Sequence, residues 1–220
     1  MDKARLLFEK TGPARYISHL DLTRTFQRAF RRAGLPLSYS EGFNPHPYLS
    51  MARPLPVGVS SRCELLDFGL AEPADWKRLP GRISAALPLG LTVTGAWPAS
   101  RKFQEIAQAA YQIGLEWDRP ENTAAALAAL LDGRPLPVVK KSKKGLVEIN
   151  AAELVLAFSV TAPEERRAVV LATLAAGETS LGPGQLLEAL LSAAGEGFAP
   201  WVRAEVTRTA LLDGAGQVFR

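Results

Sequence analysis

The chain has 220 residues, 47% hydrophobic and 22% charged, a globular balance that excludes wholesale disorder. One cysteine and two histidines exclude an intrachain disulfide, a four-ligand Cys/His zinc site and an iron–sulfur cluster held by the chain's own cysteines. The formal net charge is +4, but the excess is local: ten Lys/Arg face four Asp/Glu as far as Arg62, and sixteen face eighteen thereafter.

Residues 4–16 read as a strand with a turn at Thr11-Gly12-Pro13. Ser18 is a good helix N-cap, and Asp21 three residues later completes a capping-box-like pair. The helix runs over residues 19–33 and stops at Gly34, ahead of Pro36. Leu22, Phe26, Ala29, Phe30 and Ala33 recur on one face at helical spacing; Arg24, Arg28, Arg31 and Arg32 fall on the other. Residues 35–50 hold two prolines and a glycine around Glu41, Asn44 and His46, so a structured loop is expected. Strands are expected at 51–59, 64–70 and 91–97, and a helix at 75–86 interrupted near Pro80.

That order, βαββαβ, is the ferredoxin-like arrangement. The second half repeats the elements but not the residues. Strands are expected at 110–117, 137–141, 154–160, 168–175 and 201–211, with helices at 122–131 and 183–194. The expected fold is therefore α+β: two tandem ferredoxin-like units with antiparallel sheets, at 1–100 and 104–220. The uncharged stretch 83–100 is broken by Pro88, Gly90, Gly95 and Pro98, so it does not span a membrane. Leu6-Leu7-Phe8 is too short for a signal-peptide core. A cytoplasmic protein is expected.

The chain carries no phosphate-loop, dinucleotide-binding, nucleophile-elbow or metal-helix motif. Its chemistry rests on other groups. His19 in the first turn of the arginine-bearing helix and His46 between two prolines are candidate catalytic residues. With Asp21 or Glu41 they could form an acid/base pair, or hold one metal ion with open positions. The plainer reading is that His19 helps cap its helix and His46 stiffens a loop; no metal-ligand set is assigned. Arg24, Arg28, Arg31 and Arg32 repel one another unless neutralised, and a phosphate backbone would do that. Lys140, Lys141, Lys143 and Lys144 form a second basic run, expected at a hairpin tip. Tyr16, Tyr39, Phe43 and Tyr48 lie among the basic residues and could stack on unpaired bases.

The series Leu6-Leu7-Phe8-Glu9-Lys10-Thr11-Gly12, Tyr16-Ile17-Ser18-His19-Leu20-Asp21, Ala33-Gly34-Leu35-Pro36, Tyr39-Ser40-Glu41-Gly42-Phe43-Asn44-Pro45-His46-Pro47 and Pro54-Leu55-Pro56-Val57-Gly58 resembles the radical-SAM-linked family of bacterial proteins, catalogued as a domain of unknown function. The resemblance is dense over about residues 4–70 and looser beyond, through Glu148-Ile149-Asn150 and the helix start at Gly182. Ser18, His19, Asp21, Glu41, Asn44 and His46 are its motif positions here, and the family assigns them no role. Members lie beside or fused to a radical-SAM enzyme. This chain lacks the cluster-binding cysteines, so the resemblance implies an accessory protein with no cofactor of its own, whose partner holds the cluster and S-adenosylmethionine. The leading expectation is an accessory that positions an RNA or ribonucleoprotein substrate. The alternatives are a metal-independent RNA endonuclease using His19 and His46, and a protein-interaction module without nucleic acid.

Overall fold

The computed structural model describes residues 2–39, 41, 43, 45–118, 123–132, 135–142, 145–195 and 198–220. The protein is mixed α+β with mostly antiparallel strand pairing. It divides into two compact units, Met1–Phe103 and Gln104–Phe219.

The first unit contains β1 (Asp2–Lys10), α1 (His19–Arg32), β2 (Leu49–Met51), β3 (Ser60–Leu70), α2 (Leu79–Ser84) and β4 (Leu91–Pro98). Its strands lie in the order β4-β1-β3-β2, each pair antiparallel. Strand pleating sends alternate side chains to opposite faces. Ala4, Leu6 and Phe8 of β1 therefore join Leu66, Phe68 and Leu70 of β3 in one apolar layer. Leu22, Phe26 and Phe30 of α1 and Leu79 and Ile83 of α2 complete the core. The aromatic rings run through it in series. Phe8 meets Phe26 edge-on with centroids 4.7 Å apart, and Phe30 stacks on Phe68 at 4.6 Å. Each such ring taken out of water contributes about 1.5–3 kcal/mol.

Several boundaries differ from the sequence expectation. The chain does not continue as a strand after Lys10: Gly12 takes φ +52° and Pro13 follows, so Gly12–Tyr16 forms a 3-10 turn. Only Leu49–Met51 pairs as β2, because Pro54 and Pro56 in the expected strand have no N–H for a ladder. The helix expected over 75–86 shrinks to Leu79–Ser84. Asp75 turns the chain ahead of it, accepting bonds from the amides of Lys77 and Arg78. Pro80 then sits in the first helical turn, where a missing N–H costs nothing.

The second unit contains β5 (Ile106–Glu116), α3 (Thr123–Leu131), β6 (Pro137–Ser142), β7 (Gly145–Asn150), β8 (Val155–Glu164), β9 (Arg167–Ala175), α4 (Pro183–Ala194) and β10 (Arg203–Asp213). Its sheet has the order β10-β5-β9-β8, again antiparallel throughout. With β6 and β7 set aside, the remaining elements follow the same succession and the same spatial permutation as the first unit. The strand expected at 137–141 forms, but it leaves the sheet: β6 pairs only with β7, from Pro137↔Asn150 to Ser142↔Gly145. The hairpin tip expected at the lysine run implied a returning strand, but β7 had no expected range of its own. Ile113, Leu115, Val170, Leu174, Leu127 and Leu186 are among this unit's buried side chains.

Candidate nucleic-acid interface

The start of α1 is built by three polar side chains. The Ser18 hydroxyl accepts from the Asp21 amide at 3.2 Å, as an N-cap should, and donates to Asp21 Oδ2 at 2.7 Å. Asp21 Oδ1 in turn accepts from Arg24 at 3.3 Å, an i,i+3 ion pair between exposed groups. The Ser18 hydroxyl bond holds the Asp21 carboxyl below its ordinary value of 3.8, and the Arg24 guanidinium adds to the effect against partial desolvation. A depressed native pKa adds stability that is present above pH 3.8 and is lost as pH falls through the lower native value. In Ser18→Ala, the NMR-followed titration of Asp21 should return toward its ordinary value, and the lost cap should lower stability by about 1 kcal/mol.

Beyond Arg24 the helix presents Arg28 and Arg31 to solvent; neither makes a hydrogen bond or salt bridge with a described residue, and Arg28 feels the Asp21 carboxylate only at longer range. Arg24, Arg28 and Arg31 fall on the side opposite Leu22, Phe26 and Ala29 because the helix turns about 100° per residue. Arg32 differs from its neighbours. It donates to the carbonyl of Ala86, just past α2, while Arg82 of α2 donates to the carbonyl of Gly34, just past α1, at 2.9 Å. Each helix thus supplies an arginine to an end carbonyl of the other. This clasp ties down the C-terminal end of the arginine row.

Immediately before α1 stands a second basic feature. Tyr16 ends the 3-10 turn and is 60% exposed. Arg15 donates to its hydroxyl at 2.7 Å and places its guanidinium 4.8 Å from the ring centroid. The Arg15 carbonyl accepts from Lys10 Nζ at 3.1 Å and from the Gly58 amide at 2.9 Å. Lys10 is only 1% exposed, so a buried ammonium is committed to this turn.

The histidines are not joined. His19 is exposed and its imidazole has no hydrogen-bond or ionic partner among the described residues, so it makes no such bond to His46, which is also exposed. Glu41 is exposed. Asn44, Lys143 and Lys144 lie outside the described residues; Lys140 and Lys141 are in β6, opposite Val147 and Leu146. Among the described residues no three His, Cys, Asp or Glu side chains gather in a way that could hold a metal ion. No helix among them is long and apolar enough to cross a membrane.

One constellation was missed in the sequence. Arg5 and Asp67 face each other across β1 and β3 and form a forked pair, Nε to Oδ1 at 2.7 Å and Nη2 to Oδ2 at 2.9 Å. Arg5 also donates to the Arg101 carbonyl at 2.6 Å and lies 4.4 Å over the Phe103 ring. Its only sequence signal is a charge between Ala4 and Leu6, which reads as the solvent side of a strand.

A family model of uncharacterized proteins conserved in bacteria (DUF2344) matches residues 3–183. The chain belongs to that family. The DUF2344 match thus takes in the arginine helix, the Tyr16 turn and the β6–β7 hairpin. No curated protein matches the chain. Among solved structures, a chain of a Cbf5-Nop10-Gar1 complex is similar in fold, with 14% identity and a TM-score of 0.50. The likeness covers 97% of this chain and 50% of that one, so the DUF2344 protein spans about half the length of its structural neighbour.

Proposed function

We propose that this DUF2344 protein is an accessory RNA-binding protein that positions an RNA or ribonucleoprotein substrate for a radical-SAM enzyme in the cytoplasm. In this reading its units are tandem ferredoxin-like modules, supported by their common β-strand permutation, and α1 of the first unit is the RNA face. The observation that carries the proposal is the pair Arg28 and Arg31: exposed, like-charged one turn apart, and in no hydrogen bond or salt bridge with a described residue, with only the more distant Asp21 carboxylate acting on Arg28. A structural helix face gains nothing from such a pair, since like charges one turn apart repel. Two phosphates remove the repulsion and release counterions. The radical-SAM partner rests on the sequence resemblance, and the cluster and S-adenosylmethionine belong to that partner.

Fluorescence anisotropy with a structured RNA, read at about 50 and 200 mM salt, tests the interface. Wild-type affinity should fall steeply with salt. Arg28→Gln/Arg31→Gln should weaken binding and flatten the log–log salt slope by about 1.5–2, the loss of two phosphate contacts. Equal affinity and equal slope for both proteins would overturn the proposal. Copurification with a radical-SAM enzyme by a protein without RNA affinity would leave the interaction-module reading in its place. Cleavage of the RNA in EDTA, abolished by His19→Ala, would restore the endonuclease.

A further inference from the structure

Tyr16 takes no part in the phosphate contacts proposed for α1. The residue is 60% exposed, yet the turn that carries it is anchored at several points. Ala14 is buried, the Thr11 amide donates to the Gly90 carbonyl at 2.8 Å, and the Arg15 carbonyl takes bonds from the buried Lys10 ammonium and from the Gly58 amide. Desolvating a lysine ammonium is costly. Here the ammonium's bond to the Arg15 carbonyl helps to hold a turn whose tip is an exposed tyrosine. Arg15 satisfies the ring's hydroxyl and lays its charge over the ring. The ring's polar handle is thus occupied, while Tyr16 keeps most of its surface in water. Tyr16 also stands two residues ahead of the Ser18 cap, where the arginine-bearing helix begins.

We propose that Tyr16 is a base-stacking platform ahead of the N-terminal end of the arginine row, so that the RNA taken by this face carries an unpaired nucleotide on the N-terminal side of the phosphates held by Arg28 and Arg31, which lie about 14 and 18 Å along the axis from the helix start. This rests on the RNA-binding reading above and names its substrate class: a junction between paired and single-stranded RNA. The chemistry fits the parts. An aromatic face accepts any base, a guanidinium against the ring adds cation–π and phosphate attraction, and a pre-ordered turn loses little entropy on binding. Leu20, also exposed at 58%, lies between Tyr16 and Arg24 in the chain.

The test uses two labelled RNA hairpins with the same stem, one blunt and one with a short single-stranded overhang carrying a fluorescent purine analogue. Wild type should bind the overhang form about tenfold or more tightly than the blunt form, and should quench the purine. Tyr16→Ala should lose both the preference and the quenching while binding the blunt hairpin like wild type. Tyr16→Trp should keep both, which separates stacking from a folding defect. Arg28→Gln/Arg31→Gln should weaken both hairpins by a similar factor. If wild type binds the two hairpins equally, or if Tyr16→Ala keeps the preference, the platform is overturned and the RNA reading survives. If wild type binds neither, both fall.

Discussion

Asp67→Ala should lower the stability of the protein by about 3–5 kcal/mol, because it strips the counter-charge from a guanidinium that cannot reach water. The Arg5 side chain is 0% exposed and that of Asp67 10%. Their two hydrogen bonds are short and parallel, the fork geometry in which arginine and carboxylate fit best. Removing the carboxylate takes away both bonds of the fork and leaves the Arg101 carbonyl and the Phe103 ring among the groups that still face the charge. Urea melts should show the midpoint falling by roughly 2 M, given the usual slope for a protein of this size. Arg5→Met/Asp67→Leu should recover much of the loss, since a well-packed apolar pair often equals a buried ion pair. A loss below about 1 kcal/mol in Asp67→Ala would mean that solvent reaches the pair.

Gly90→Ala should be nearly as damaging, about 2–5 kcal/mol, for a reason of space and backbone rather than charge. Gly90 has φ +88°, a region that residues with a Cβ seldom enter. A Cβ there would stand 2.3 Å from the Thr11 carbonyl oxygen and 2.9 Å from Ala14 Cβ. Neither is the loose end of a flexible side chain. Thr11 is itself bonded to Gly90, so the two turns would have to part. Gly12→Ala is the control: its φ is +52° but open space surrounds the added carbon, so only the left-handed backbone cost of about 1–2 kcal/mol should appear. Equal melting temperatures for the two variants would contradict the close approach.

α1 was legible because every signal in it agrees. A cap at Ser18, an apolar row through Leu22, Phe26 and Phe30, and a stop at Gly34 all name one helix. The inside of the sheet was less so. Arg5, Lys10, Glu64 and Asp67 are all buried, yet Arg5 and Asp67 alternate with the apolar rows and read as the wet side of a strand, while Lys10 and Glu64 are charges in line with those rows. β7 had no expected range because its residues are exposed or half-buried and carry no burial period. The Asp21–Arg24 contact, at i+3, is not evident from the sequence, where Asp21 reads as the capping partner of Ser18. For the candidate site, sequence could place arginines on one side of a helix by arithmetic. It could not foresee that Arg32 would be taken by the Ala86 carbonyl, or that a buried lysine would steady Tyr16, because both facts depend on chain segments far away.

The position of β1 in the middle of its sheet bears on how the chain comes off the ribosome. Leu6 and Phe8 are flanked by β3 on one side and β4 on the other, and Arg5 meets Asp67 only 62 positions later. At a synthesis rate of about 5–20 residues per second, β1 waits several seconds for its first neighbour. During that time α1 can coil on local signals alone, but its phenylalanines have no sheet to lie on. A pause in translation between α1 and β3 would therefore hold an apolar strand and an apolar helix face in the open, the form of nascent chain that chaperones bind.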